Sequence, residues 1–167
     1  MILATACGGE PAETDAAAFQ LRPVVEVVGA SSPGPDAPDP TCDGAGGGEA
    51  SACLDAHAEA SVVVLDQANR DTYVLGPVVV DGADVAEAKA LRNAAVGWEV
   101  VADLTPEGSH ALEAATRMSV GDRIAILVAG RIVSAPTVQA PIGAGSIVVA
   151  SGLSEAEAKA LADRIGG

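Results

Sequence analysis

Aromatic residues are nearly missing from this chain: one Trp, one Tyr and one Phe in 167 residues. Whatever core forms must therefore be aliphatic, and half of the chain, 49% hydrophobic with alanine prominent, is available to build it. Basic residues are also scarce, nine against 23 acidic ones, for a formal charge of -14. Such a charge repels nucleic acid and anionic membrane surfaces, so neither is an expected partner. No run approaches the 18 or so apolar residues of a spanning helix, so a soluble module is expected. Catalytic patterns are missing as well: there is no phosphate loop, no nucleophile elbow and no His-Glu-x-x-His. The two histidines, His57 and His110, lie far apart in sequence and neither has an evident acid-base partner. Asp81, Asp84, Asp103, Glu107 and Asp122 fit no calcium loop and read as caps and solvated faces, and Ser109 and Ser134 have no base nearby. A non-enzyme with no cofactor and no metal centre is expected.

What is present is organised around residues 123–164, RIAILVAGRIVSAPTVQAPIGAGSIVVASGLSEAEAKALADR. Ile124 to Val128 is apolar at successive positions, the pattern of a strand covered on both faces and hence the central one. Ala129-Gly130 reads as a two-residue turn into a second strand, Arg131 to Ala135, which Pro136 ends because proline cannot donate to a ladder. A turn-prone loop, Pro141 to Gly145, leads to a short strand at Ile147 to Ala150. Ser154 and Glu157 are spaced as a capping box, and Ala158, Leu161, Ala162 and Ile165 form one apolar helical stripe.

Upstream, residues 1–18 read as a signal remnant and tether, and Phe19 to Val28 as a half-buried strand. In that strand Phe19, Leu21, Val25 and Val27 alternate with Gln20, Arg22 and Glu26, and Pro23 marks an edge or bulge. Residues 29–60 are a Pro/Gly-rich loop that builds no core of its own, and 61–167 form the main domain. There, Ser61 to Asp66 and Thr72 to Val80 read as strands, the second bent at Gly76-Pro77, and Asp84 to Arg92 as a short helix. Trp98, Val100, Ala102 and Leu104 should face the core with Trp98 as its largest anchor, and Thr105-Pro106-Glu107 opens a helix whose inner face is Ala111, Leu112 and Ala115. The expected fold class is α+β, an antiparallel sheet with two main helices packed on one face.

Several of these stretches share wording with one family. RIAILVAG, IVSAPTVQAPIGAG and VASGLSEAEAKALA resemble the "RIAIVLDG", "VISAPVIQEPITGG" and "ISGxFTxEEAxxLA" patterns of the head of the first periplasmic domain of SecD and SecDF, membrane-anchored accessories of the Sec protein-export channel. Tyr73 to Pro77, Gly97 to Leu104 and, more weakly, Phe19 to Val24 are similar to further patterns of that family, so that the likeness spans roughly 71–167. Ala129 stands where the family has an acidic turn residue. The resemblance implies a standalone head-like module outside the cytoplasm that binds unfolded or translocating polypeptide or an envelope protein, with Sec components among the candidate partners. The other reading is an envelope lipoprotein that reuses the fold for an unrelated ligand or a structural role.

Met1 to Cys7 resembles the end of a lipoprotein signal, which makes Cys7 the expected lipid attachment point on the outer face of a bacterial membrane; an incidental cysteine in a disordered terminus is the alternative. In an oxidising compartment Cys42 and Cys53, which bracket a glycine-rich stretch, are expected to form a disulfide. A metal site there would need ligands beyond His57, and free thiols are the remaining reading. The expected binding surface is Ser134, Ala135, Pro136, Val138, Pro141, Ile142 and Gly143, where prolines interrupt pairing, glycine frees the backbone and two aliphatic residues fall in a loop. Extended polypeptide suits such a surface; the competing reading tucks Val138 and Ile142 under the sheet as core.

Overall fold

Ile124–Val128 is buried at every position, and its two faces enter two different cores. In a computed structural model, which describes residues 19–28, 53–66 and 71–166, this strand is β7. The order is β1 (Phe19–Val28), β2 (Val62–Leu65), β3 (Thr72–Leu75), β4 (Val80–Asp81), β5 (Val85–Asn93), β6 (Gly97–Leu104), α1 (Pro106–Met118), β7, β8 (Arg131–Ser134), β9 (Ser146–Leu153) and α2 (Glu155–Gly166). All pairings are antiparallel among these strands. The expected α+β class with two main helices is present, but the sheet is divided. One has the order β2-β3-β1-β7-β8 with β4 beside β1, and the other is β5-β6-β9.

The first core lies between the two sheets. Phe19 and Leu21 from β1, Ile124, Ile126 and Val128 from β7, and Val100, Ala102 and Leu104 from β6 meet there. Both helices add to it, α1 through Leu112 and α2 through Ala158, Ala162 and Ile165, as the stripes in the sequence require. The second core is on the opposite face of the larger sheet, where Ala125 and Leu127 of β7 meet Val62, Val64, Tyr73, Leu75 and Leu54. Thus one strand with period-two burial serves both cores.

Local chemistry accounts for the element ends. Ala129 (φ 49°) and Gly130 (φ 74°) are both left-handed, the geometry of a type I′ hairpin turn between β7 and β8. Thr105 accepts from Gly108 N at 3.1 Å at the start of α1, where Pro106 occupies the first turn. Ser154 Oγ accepts from Glu157 N at 3.4 Å, and Glu157 accepts from Ser154 N at 2.9 Å, completing the capping box of α2. The Ser154 hydroxyl, donating to Glu157 Oε2 at 2.6 Å, and second the Ser154 backbone amide hold the Glu157 carboxyl below the usual carboxylate range. Gly76 breaks β3 from β4 and lies so close to β1 that a Cβ there would come within 2.9 Å of Pro23 Cγ.

Four expectations are corrected. Asp84 to Arg92 is not a helix: Val85–Asn93 pairs with β6 along its length, and helix-favouring Ala, Lys and Leu yield to the ladder and to α2, which packs on Ala88 and Ala90. The Asp84 and Glu87 spacing that suggests a cap for that helix makes none; a capping box one turn earlier, Asp81 with Asp84, closes a 3₁₀ turn, Gly82–Asp84. Trp98 is half-buried at the margin of the first core, with Lys159 Nζ 5.9 Å from its ring centre, so it is not the largest core anchor. In β1, Gln20 and Arg22 are buried while Val25 and Val27 are 66% and 39% exposed, and Pro23 lies within a strand flanked on both sides, beside a register shift between Val24 and Glu26. Finally, Pro136 ends β8 but not the contact, because its carbonyl accepts from Ile124 N at 3.1 Å and an isolated bridge joins Arg123 to Thr137.

Candidate functional site

The segment after β8 crosses the open end of the first core and leaves a cleft of about 340 Å³ beneath it. Leu21, Ile124 and Ile126 of the larger sheet and Leu112 of α1 line its interior, and Ser146, Ile147 and Val148 of β9 form one wall. The remaining wall is the segment itself, through Pro136 to Ala140 and Ile142. The lining is overwhelmingly aliphatic because the core that supplies it contains almost no aromatic residue, and the cleft lies beside β9, the end strand of the smaller sheet.

The expected binding residues divide into three groups. Pro136, Val138 and Ile142 come together on the cleft. Val138 is nevertheless 4% exposed and fixed on both sides, its N–H donating to Asp122 O at 2.8 Å and its carbonyl accepting from Gly121 N at 2.9 Å, so it is a core residue as the competing reading had it. Ile142 is half-buried against the same core. Ser134 instead ties the two sheets together, its hydroxyl donating to Val149 O at 2.7 Å, and Ala135 packs against the second core. Pro141 and Gly143 are exposed, Gly143 lying against the Glu113 side chain.

Two polar residues that the sequence reading did not select organise the surroundings. Thr116, wholly buried in α1, donates to Leu112 O at 2.7 Å and accepts from Ile142 N at 2.9 Å. The signal was a polar residue on the apolar stripe beside Leu112 and Ala115. Arg22, wholly buried in β1, spends its donors on Gln20 Oε1, on the carbonyls of Ala60 and Gly76, and on those of Leu54 and His57. Gln20 relays that charge outward by donating to Asp55 at 2.6 Å. Burial pushes the Arg22 guanidinium below its ordinary value and the Asp55 carboxylate partly restores it. An arginine so placed stays charged and holds the 53–60 segment over the second core.

Cys53 opens that segment and is disulfide-bonded. Cys42 and Cys7 lie outside the described residues, as do the tether and most of the 29–60 loop. Among the described residues no group of three His, Cys, Asp or Glu side chains is placed to hold a metal ion, and no helix is long and apolar enough to cross a membrane.

The family model described as SecDF, P1 head subdomain matches residues 59–166. The chain belongs to the SecDF P1 head family. The SecDF protein translocase subunit of Thermus thermophilus is 39% identical over 83 residues, 50% of this chain and 11% of that protein. The SecD subunit of Streptomyces coelicolor is 31% identical over 100 residues, covering 56% of this chain and 18% of its own length. The chain therefore spans a small part of the curated relatives it matches. A solved structure described as a membrane component SecDF that enhances protein export superposes over 96% of this chain and 70% of its own, with a TM-score of 0.56 and 24% identity. SecDF in a super-membrane-facing form gives a TM-score of 0.55 at 27% identity, over 96% of this chain and 21% of its own. The described residues thus share the mixed α+β, antiparallel fold of the SecDF periplasmic structures, with the head model accounting for 59–166.

Proposed function

We propose that this P1 head is a non-catalytic, extracytoplasmic module of protein export that captures unfolded or translocating polypeptide, with Sec components as further candidate partners. The observation that carries the reading is the aliphatic cleft between the 136–142 segment and β9. An extended chain laid along it would place an aliphatic side chain in the cleft and its backbone against β9, the end strand of its sheet. Family membership supports the link to export, since the relatives are named as translocase subunits. Of the residues selected from sequence, Ile142 keeps its place in this reading and Val138 contributes as a fixed wall.

Val148 offers a clean test, because it lines the cleft and is 51% exposed. Fluorescence anisotropy of a labelled, unstructured Gly-Ser-Leu-Gly-Ser repeat peptide should show saturable binding. Val148→Gln should weaken it about five- to tenfold, the loss of ~1 kcal/mol of apolar contact, with the melting temperature preserved. Wild-type protein that shows no saturable binding of this peptide at millimolar concentration would sink the reading.

A further inference from the structure

We propose that Thr116 is a positioning residue for the cleft: its hydroxyl latches the 139–142 strap to α1 and so fixes Ile142 as a wall. The inference rests on the reading of the cleft as the place of polypeptide capture.

The strap is fastened at three points. At its near end, Val138 exchanges backbone bonds with Gly121 and Asp122; at its far end, Gly145 O accepts from Leu104 N at 2.7 Å. Between them the fastening to α1 is the bond from Ile142 N to Thr116 Oγ1 at 2.9 Å. Pro141, just before, has no N–H to offer, so Ile142 carries the first backbone donor after the proline. The hydroxyl is suited to the task. Its single proton is directed to Leu112 O at 2.7 Å, with Glu113 O at 3.2 Å, which leaves its lone pairs facing Ile142. A threonine bonded only to its own helix would need no such partner and would serve the helix alone. Here the same oxygen joins a helix to an irregular segment 26 residues downstream, and the side chain of the residue it holds, Ile142, lines the cleft. Without the latch, the strap between Val138 and Gly145 loses its middle anchor and Ile142 leaves the wall.

Two measurements on the full chain test this: amide hydrogen exchange at Ile142, and binding of the same Gly-Ser-Leu-Gly-Ser peptide. Thr116→Val removes the acceptor at nearly constant shape. It should speed exchange at Ile142 at least tenfold, leave the β7 amides protected, and weaken the peptide at least fivefold. Thr116→Ser should restore both. Should Thr116→Val fail to fold, Thr116→Ala, with the best helix propensity, reads the same two quantities. Unchanged Ile142 exchange overturns the latch. So does faster exchange with unchanged peptide affinity, which would make Thr116 structural only. Wild-type protein that captures no peptide overturns the reading of the cleft itself, a result distinct from both.

Discussion

Two connecting segments cover the two faces of the larger sheet, and they are held in opposite ways. The 53–60 segment lies over the second core and is gripped by the Arg22 guanidinium, which reaches Leu54, His57 and Ala60 as well as Gly76. Leu54 beneath it is 1% exposed. The strap after β8 lies over the first core, bonded to α1 through one threonine hydroxyl, and leaves a cleft beneath. A buried cation with every donor placed tolerates little motion, because any shift strands carbonyls and charge together. Between its backbone anchors at Val138 and Gly145, the strap has one neutral hydrogen bond over an open apolar space, which tolerates much more. The difference assigns rigidity to one face of the sheet and adaptability to the other, which is where the candidate site lies.

The comparison breaks first, and hardest, at Arg22. Arg22→Met leaves carbonyls on both sides of the second core without donors and should cost about 3–5 kcal/mol in urea denaturation; a loss below 1 kcal/mol would mean that the grip is not what holds this cover. Next is the disulfide at Cys53, whose partner we propose is Cys42. Non-reducing peptide mapping should recover the two in one linked fragment, and reduction should lower stability by about 2–3 kcal/mol, a contribution absent from the strap side. Two alkylated free thiols would refute the pairing. The smallest effect belongs to neither cover. The Glu157 carboxyl is held below its unfolded value by Ser154, so its contribution is present above the ordinary carboxylate pKa and is lost as pH falls through the folded value. Glu157→Gln should flatten that acid limb of the melting temperature between about pH 5 and pH 3 while leaving both covers unaffected. An unchanged acid limb would show that the cap carries no linked proton.

The parts legible in sequence were those decided by neighbours in the chain. The double-sided apolar run of β7, the turn at Ala129-Gly130, the caps at Thr105 and Ser154 and the stripe of α2 all follow from short-range pattern, and all are observed. The failures have a common cause in distant partners. Val85–Asn93 carries helix formers at helical spacing, and only the ladder to β6 makes it a strand. Arg22 reads as the solvent side of an alternating strand until Leu54, His57 and Ala60 arrive from more than thirty residues away. The site was half legible for the same reason. Proline and glycine correctly marked the strap, whereas the cleft depends on Leu21, Leu112 and Val148, which no local pattern joins to it.

The placement of β1 bears on how the molecule comes to be folded at all. Leu21 pairs with Ile126, so a strand near the start of the chain waits for one about a hundred residues later, and without β7 neither core closes. Loop closure over such a length precedes any gain from the contacts it makes, which slows folding and keeps early species open. A chain emerging from its N-terminal end can pair β1 with β3 and β4 first, but the edge of β1 that receives β7 stays open until that strand follows, prone to mispairing throughout that interval. The hairpin of β7 and β8, closed by a tight local turn, can form on its own in that final stretch and present the missing partner already shaped. Its arrival, rather than the length of chain already made, would time the commitment to the native state.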